Sequence, residues 1–351
     1  MADTATQSPR NKAADLEGSF LGRIPVWRLI DEAGVLLVLI ALMTILALDN
    51  DVFGTWFNMR LIALDAALVG IVACGQTFVI LTAGIDLSLG SMVAFSGVLA
   101  AGLMTRRGLA FPEAMAPMLD PWIAIPIALA FGTLYGMLQG LIITKLKITP
   151  FIVTLGSLSI LQGLALVLSN AAPVQQLPRQ LRWMIQIEPE ILGLKMPLPM
   201  PAIIMLLVYF TAWLVLRYTK LGRYAYAIGG NETATRLSGI KVDRYLISIY
   251  SLSAFLAAMA GVILSVRLDS GNYTNGETYT LDGVAAAVIG GTSLMGGVGG
   301  VWGTLVGALL MAVVRNALVL YNVPAMWHRV VVGGIIVGAV ALDAIRKRLR
   351  S

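Results

Sequence analysis

The residues best placed for chemistry surround an acidic side chain between two long apolar runs. Asp86 lies in the segment 82–91, and Ser88 follows two positions later. Gly84 and Gly90 flank the pair. A carboxylate facing the centre of a bilayer costs about 2.5–3.5 kcal/mol, so Asp86 needs a partner or a polar cavity. One hypothesis is that Asp86 or Ser88 caps the following helix by accepting its free N–H groups. The other is that this break lines a translocation path, where the carboxylate and exposed backbone would meet a polyol.

A glycine-rich segment, 289–300, is the second candidate and carries six glycines. A phosphate-binding loop would follow a strand and end in Gly-Lys-Ser or Gly-Lys-Thr, and neither feature occurs here, so we exclude a nucleotide site. Because glycine has no side chain, so many glycines predict close helix packing or an unwound hinge. Gly291 and Ser293 therefore join Gly84, Asp86, Ser88 and Gly90 as candidate residues of the path.

A basic, glycine-containing loop, 217–244, separates two later apolar runs. Asn231 is predicted to cap a short helix whose polar outer face holds Glu232, Thr235 and Arg236. A solvated loop that obeys the positive-inside rule is the alternative, but it would not need a Gly-Gly-Asn start. We prefer a helix on which another subunit docks. The candidate coupling residues are Gly222, Arg223, Gly229, Gly230, Asn231, Glu232, Ala234, Arg236 and Gly239.

Few ionisable residues fall inside the apolar runs: Asp65, Asp282 and Arg315, all near predicted outer ends. A proton- or sodium-coupled carrier usually holds its ion on mid-membrane acidic side chains, so we expect an external energy source. The single histidine, His328 beside Trp327, is expected to be an interfacial anchor. The spacing of residues indicates neither a metal site nor a hydrolase, so no catalytic residue is predicted. Intramembrane proteolysis by Ser/Lys or paired Asp stays open, although no such pair shares a clear mid-span face.

Composition places the chain in a membrane. Of its 351 residues 58% are hydrophobic and 13% charged, and the mean hydropathy is +0.83. Soluble domains carry about 25% charged residues, so lipid must be the solvent here. The net charge is +6, but the basic residues lie between apolar runs, which indicates membrane topology and excludes nucleic-acid binding. The single cysteine, Cys74, excludes an internal disulfide and is expected to be a packed thiol.

Apolar segments long enough to cross about 30 Å of hydrocarbon predict an all-α polytopic membrane protein. We predict about ten spans, near residues 33–48, 61–82, 88–104, 122–144, 150–169, 201–216, 245–266, 282–295, 302–320 and 330–345. The third and eighth are short and glycine-rich, so either could be a broken or re-entrant helix.

The distribution of Lys and Arg places both termini in the cytoplasm. Sixteen of these residues fall in segments assigned to the cytoplasm and eight in segments assigned to the outside. Residues 1–32 are then a cytoplasmic tail without a cleavable signal. Residues 33–346 form the transmembrane domain, with the cytoplasmic coupling loop at 217–244, and 347–351 form a cytoplasmic C-terminal tail.

Glycines also predict helix packing and an internal repeat. Gly132, Gly136 and Gly140 recur at one-turn spacing, which favours a helix contact within one chain or between two. The run that begins Gly-Thr-Leu at Gly132 recurs at Gly303, with Gly307 in the place of Gly136, a shift of 171 residues. In the predicted topology the copies run in opposite directions, as in transporters built from two inverted five-span halves. Chance is the alternative, because Gly, Leu and Thr are common in spans.

Three motifs in order resemble the permease subunits of bacterial ABC importers for monosaccharides, the ribose/xylose/arabinose group. That family carries G-G-I-D-L-S-x-G after the second span, G-R-x-x-x-A-I-G-G-N-x-x-A-A-R-x-x-G-I in a cytoplasmic loop, and G-G-x-S-x-x-G-G-x-G near the C-terminus. Here they are residues 83–90, 222–240 and 290–299, and the resemblance runs from about residue 58 to residue 346. Ala83 replaces the first glycine, and Thr235 replaces the second alanine before Arg236.

The resemblance implies a bacterial inner-membrane assembly of two copies of this chain, two cytoplasmic ABC ATPase domains docked near residues 231–239, and a periplasmic sugar-binding protein. ATP and Mg²⁺ would bind the ATPase, and this chain would bind no cofactor. The implied fold is the ten-span importer pore, which alternates between outward- and inward-facing states and moves a pentose or hexose unchanged. An ion-coupled secondary carrier, a permease of a related ABC importer for amino acids, and an intramembrane enzyme remain alternatives.

Overall fold

The computed structural model describes residues 26–105, 118–187, 190–191, 194–195 and 198–350. Within these ranges the chain forms twelve α-helices and a short 3-10 helix at Arg179–Met184. The helices are α1 (Val26–Asp49), α2 (Trp56–Leu81), α3 (Leu89–Met104), α4 (Pro121–Leu146), α5 (Pro150–Leu168), α6 (Met200–Tyr218), α7 (Lys220–Gly230), α8 (Glu232–Leu237), α9 (Val242–Arg267), α10 (Glu277–Ile289), α11 (Val301–Leu320) and α12 (Ala325–Arg350).

Six of these helices are long and apolar enough to cross a membrane: α2, α4, α5, α6, α9 and α11. Shorter apolar stretches occupy Gly34–Asp49 in α1, all of α3, and Ala325–Gly338 in α12. The prediction of an all-α polytopic membrane protein is therefore confirmed. Of the predicted tails, residues 1–25 and 351 lie outside the described residues, whereas 26–32 belong to α1 and 347–350 to α12.

The predicted boundaries of the eighth span are wrong. The helix in this region, α10, runs from Glu277 to Ile289 instead of from residue 282 to residue 295. It ends early because Gly291 has a φ of +88°, a left-handed conformation through which an α-helix does not continue. Its first turn is polar, which hid it from a search for apolar windows.

Helices α2 and α9 lie at the centre of the bundle. α2 is almost wholly buried and apolar on every side, as expected for a helix surrounded by other helices, and it holds Cys74 as the predicted packed thiol. α3 and α4 pack on α9, whereas α10 and α11 pack on α2. α5 and α6 lie on the outside and expose large apolar side chains such as Ile152 and Leu207, which suits a lipid-facing surface.

Glycines allow two of these helix pairs to approach closely. A Cβ at Gly136 would lie 2.7 Å from the Cβ of Ala254, so α4 and α9 meet almost backbone to backbone. The contact is within one chain. The predicted packing residues, all at contacts between helices, are Gly132, Gly136 and Gly140 against α9 and Gly303 and Gly307 against α10.

Short antiparallel strands, which the sequence did not predict, follow α5 and α9. They pair as β1 (Val174–Gln175) with β6 (Ser270–Gly271), β2 (Gln186–Ile187) with β5 (Leu198–Pro199), and β3 (Glu190–Ile191) with β4 (Leu194–Lys195). Helix α9 begins just after α8 and ends just before β6. We therefore call the end of the bundle that carries α7 and α8 the loop end, and the end that carries β1 and β6 the strand end.

Candidate functional site

Two breaks between helices meet at the loop end: residues 82–88, between α2 and α3, and residues 290–300, between α10 and α11. The backbone N–H of Gly297 donates to the carbonyl oxygen of Leu81 at 3.0 Å. The structure thus brings together the two segments that the sequence singled out separately as candidates for the path.

Asp86 is enclosed in the first break and exposes only 1% of its surface. Its Oδ1 accepts the backbone N–H of Ser88 at 2.9 Å and the Ser88 hydroxyl at 2.6 Å. The amide of Gln76, oriented so that both its groups are satisfied, binds the backbone N–H and C=O of Asp86 at 3.2 Å each. Oδ2 of Asp86 forms no hydrogen bond of ordinary geometry among the described residues, and the side chain of Gln139 lies beside the carboxylate. In this conformation Asp86 fixes the local backbone and does not face an open path.

The start of α3 is held by a residue of α10. Ser88 is the N-cap residue, but within the described structure its side chain makes no capping hydrogen bond to the helix. The backbone N–H of Gly90 donates instead to Oγ1 of Thr280 at 2.8 Å, and the Thr280 hydroxyl lies 3.3 Å from the carbonyl oxygen of Leu87. Asp86 accepts one backbone N–H at this end of the helix, that of Ser88, which precedes α3. The N–H of Gly90, inside the helix, is accepted by Thr280 and by neither of the two predicted capping residues.

Three buried polar side chains that sequence reasoning missed surround this break: Gln76 of α2, Gln139 of α4 and Tyr250 of α9. Ser88 Oγ lies 3.2 Å from Gln139 Oε1, and a Cβ at Gly84 would lie 2.6 Å from the Tyr250 hydroxyl oxygen. The Gln139 amide nitrogen and the Tyr250 hydroxyl have no hydrogen-bond partner among the described residues. A glutamine inside an apolar helix is the sequence signal that could have identified them, because a buried amide needs partners.

Ala83 occupies a left-handed backbone position, with a φ of +60°. A residue with a Cβ is less stable there than glycine by about 1–2 kcal/mol. We therefore expect Ala83→Gly to stabilise the folded chain by about 1 kcal/mol, seen as a higher midpoint of thermal unfolding in detergent. Ala227→Gly, within helix α7, is the matched control and should lower the midpoint. A shift in the same direction for both variants would contradict the proposed strain at Ala83.

The second break is a tight turn. The backbone N–H of Ser293 donates to the carbonyl oxygen of Val298 at 2.9 Å, and the backbone N–H of Gly296 donates to the carbonyl oxygen of Ser293 at 2.9 Å. A Cβ at Gly291 would meet no atom of the described structure within 4 Å. The glycine at that position is required by its positive φ and not by lack of space.

Helix α7 rests on the end of α2 and on the second break. A Cβ at Gly229 would overlap the carbonyl oxygen of Leu81 and the backbone nitrogen of Gly297, so only glycine allows this approach. The hydroxyl of Tyr226 donates to the carbonyl oxygen of Gly299 at 2.8 Å. Burial raises the pKa of the Tyr226 phenol, which keeps it a neutral donor. A displacement of α7 would therefore also displace the end of α2 and the second break.

The short helix predicted after Asn231 is present as α8. The side chain of Asn231 accepts the backbone N–H of Ala234 at 2.9 Å, and Gly239, with a φ of +79°, follows the helix. The prediction that Thr235 lies on the outer face is wrong. Thr235 is 6% exposed, and its hydroxyl donates to the carbonyl oxygen of Ala227 at 2.9 Å, which fastens α8 to α7.

Arg236 joins α8 to neighbouring elements. Its guanidinium lies 2.8 Å from Glu232 and 2.7 Å from Asp243, and Lys145 of α4 lies 3.5 Å from the other oxygen of Asp243. Hydrogen bonds to Asp243 and then to Glu232 raise the pKa of Arg236, so it stays charged. Leu237, which the sequence analysis did not single out, is 84% exposed. A charged and an apolar side chain thus stand side by side on the surface of α8.

The predicted coupling residues divide into two groups. Gly222 and Gly229 are packing positions, since a Cβ at Gly222 would overlap the backbone of Leu216 in α6. The others are exposed and available to a partner: Arg223, Gly230, Asn231, Glu232, Ala234, Arg236 and Gly239.

Both acidic residues that the sequence placed inside apolar runs form ion pairs with arginine. Asp65 lies 2.6 Å from Arg267, and Asp282 pairs with Arg315. Within the part of the chain that the structure describes, no group of three or more His, Cys, Asp or Glu side chains is placed to hold a metal.

Comparison with known proteins finds similarity to permeases. The family model described as branched-chain amino acid transport system / permease component matches residues 58–340. The chain is 37% identical over 319 residues to a ribose import permease of Haemophilus influenzae, covering 91% of this chain and 94% of the relative. It is 40% identical over 312 residues to a ribose import permease of Bacillus subtilis, covering 89% and 92%. It is 36% identical over 308 residues to a fructose import permease of Rhizobium meliloti, covering 84% and 80%. No solved structure matches the chain.

Proposed function

Because the chain belongs to the family of branched-chain amino acid transport system permease components, we propose that it forms the membrane pathway of an ABC importer for a monosaccharide, a pentose or hexose. It is a non-catalytic, multi-pass membrane component of a transport system. Relatives named ribose and fructose import permeases, each covering most of the chain, support a sugar as cargo. The observation that carries the proposal is the contact of α7 with the end of α2 and with the second break, beside an exposed α8.

The proposed assembly contains two copies of this chain, two cytoplasmic ATPase domains and a periplasmic sugar-binding protein. ATP and Mg²⁺ would bind the ATPase domains, because the glycine-rich segment 289–300 has the wrong sequence for a phosphate-binding loop. Leu237 and Arg236 supply the apolar anchor and the charge with which α8 would bind an ATPase domain.

The proposed membrane topology has ten spans, with both termini in the cytoplasm of a bacterial inner membrane. The loop end would then face the cytoplasm and the strand end the periplasm, in agreement with the distribution of Lys and Arg. The helix pairing supports an inverted repeat of two five-span halves. α3 and α4 pack on α9 in the same way that α10 and α11 pack on α2, as expected if α2 and α9 are equivalent.

The proposed mechanism is alternating access driven through the loop end. Closure of the ATPase pair would displace α8, and the Thr235 hydrogen bond to Ala227 would carry that displacement to α7. α7 would then move the end of α2 and the second break, which meet at Gly229. The hydrogen bonds of Asp86 would hold the first break in one conformation during this movement. The first break would then move as a rigid unit with the end of α2.

A permease for branched-chain amino acids is the second candidate, because the matching family model is described in those words. Uptake of a labelled sugar that L-leucine does not inhibit would favour the sugar over this alternative. An ion-coupled carrier has less support, since Asp65 and Asp282 are both paired with arginine. Among the described residues, Asp86 is then the buried carboxylate without an arginine partner at which a coupling ion could bind. Such a carrier would show uptake without ATP that ionophores abolish.

Arg236→Ala tests the docking of α8. We expect ATP-dependent uptake to fall by about tenfold or more, because an arginine anchor is lost from the interface. The fold should be retained, because exposed ion pairs contribute only about 0–1 kcal/mol. Uptake of labelled D-ribose and D-fructose would be measured in proteoliposomes that hold the complete transporter. Arg244→Ala, which removes another exposed basic side chain, in the first turn of α9, is the matched control. Normal uptake by Arg236→Ala, or an equal loss in the control, would refute the docking assignment.

A further inference from the structure

A cavity of about 380 Å³, lined by both charged and apolar side chains, opens at the strand end, between the beginnings of α10 and α12 and the last turns of α11. Its polar lining consists of Glu277, Thr278, Asp282, Arg315, His328 and Arg329. Leu281 and Val332 supply an apolar wall. These residues are scattered over more than fifty positions of the sequence, and the fold brings them together. The volume lies at the lower end of the range that small-molecule pockets occupy, about 300–1,000 Å³.

Asp282 leaves part of its hydrogen-bonding capacity unused in this cavity. It is 1% exposed, and its Oδ2 pairs with Arg315. Its Oδ1 has no hydrogen-bond partner among the described residues. A buried acceptor without a partner costs free energy. Because this oxygen is enclosed, the Asp282 side chain would have to turn slightly toward the cavity to accept a hydrogen bond from a ligand hydroxyl.

The charges that line the cavity balance one another. Two carboxylates, Asp282 and Glu277, face two guanidinium groups, with Glu277 and Arg329 2.8 Å apart. The Nε2 of His328 lies 3.0 Å from the carbonyl oxygen of Val323. An anion would meet both carboxylates and a cation both arginines, so neither is favoured. A neutral ligand rich in hydroxyl groups can accept from the arginines and donate to the carboxylates at once.

We propose that this cavity is a sugar-contact site on the permease itself, which receives a neutral monosaccharide at the strand end. The inference rests on the proposed function, in which the strand end faces the periplasm from which the sugar arrives. The carboxylate of Glu277 accepts hydrogen bonds from sugar hydroxyls, as does that of Asp282 once its side chain turns toward the cavity. Arg315, Arg329 and Thr278 offer donors, and Leu281 and Val332 contact the C–H face of the ring.

Sugar binding to the purified full chain in lipid nanodiscs tests the site. Saturation-transfer NMR would be recorded with D-ribose and D-fructose, with L-leucine and inorganic phosphate as competing ligand classes. We expect saturable binding of at least one of the two sugars. Thr278→Val and Arg329→Gln should each weaken it about tenfold, because each removes a hydrogen-bonding group from the cavity. Both residues are partly or well exposed, so both variants should fold.

Arg182→Gln, an exposed arginine outside the cavity in the 3-10 helix, is the matched control and should bind the sugar as the unchanged chain does. Equal affinities in Thr278→Val, Arg329→Gln and the control would overturn the site, as would preferential binding of phosphate or leucine. ATP-dependent uptake by the unchanged chain in the complete transporter is measured in parallel. Uptake without sugar binding in the cavity would overturn the site alone, whereas sugar binding without ATP-dependent uptake would overturn the proposed function.

Discussion

Replacing Gly229 by alanine is expected to reduce ATP-driven uptake by about tenfold or more, because one methyl group overfills a backbone contact. That methyl group would overlap the carbonyl oxygen of Leu81 and the backbone nitrogen of Gly297, and neither atom can rotate away as a side chain could. α7 would have to move away from the end of α2 and from the second break. A displacement of α8 would then no longer be passed to these two segments through α7. Uptake and ATP hydrolysis would be measured together in proteoliposomes, since loss of uptake with continued hydrolysis identifies uncoupling.

The neighbouring glycine provides the control for this experiment. A Cβ at Gly230 would meet no atom of the described structure within 4 Å, so Gly230→Ala adds the same methyl group without a collision. Both variants should reach the membrane in equal amounts. Wild-type uptake by Gly229→Ala would show that this contact does not transmit motion, and an equal defect in Gly230→Ala would show that the effect is not one of packing.

Asp86→Ala is expected to destabilise the chain by about 1–3 kcal/mol and to abolish most uptake, because it leaves the N–H of Ser88 buried without its acceptor and the Ser88 hydroxyl with only the longer hydrogen bond to Gln139. Asp86→Asn retains an oxygen that can accept both hydrogen bonds. It should therefore keep its stability and take up sugar at about half the wild-type rate or better. Thermal unfolding in detergent and uptake by the complete transporter would be measured for both variants.

The asparagine variant separates the two hypotheses for Asp86. If Asp86 only holds the first break in shape, a side-chain oxygen that accepts hydrogen bonds is sufficient, and Asp86→Asn should retain both stability and uptake. If Asp86 contacts the sugar, Asp86→Asn should fold normally and yet lose uptake. That second result would contradict a purely structural role and would favour the hypothesis that Asp86 lines the translocation path.

The sequence was sufficient for features that depend on local patterns. Apolar segments predicted the α-helical membrane class, because a spanning helix must be apolar over most of its length. Asn231 was identified as a helix cap from its own side chain and the residues after it. The glycine spacing of α4 predicted a close helix contact, although it did not say that α9 is the partner.

Features set by the meeting of distant segments could not be predicted. Thr280 caps α3 from a helix 190 positions away, and nothing near Gly90 in the sequence points to it. Thr235 is as polar as its neighbours and faces inward only because α7 lies beneath α8. The cavity at the strand end likewise needs three helices in place before Asp282 and Arg329 share a wall.

The pairing of β1 with β6 would provide a pivot for the bundle in the proposed mechanism. Val174 lies opposite Gly271, and Asp269 accepts the N–H of Leu177 at 2.9 Å, so the chain after α5 is clamped to the end of α9. Helix α9 has 26 residues, so at 1.5 Å per residue it is about 39 Å long, and a tilt of about 5° around the clamp displaces its far end by about 3 Å. In the proposed mechanism the bundle would then act as a lever that pivots at the strand end and moves at the loop end.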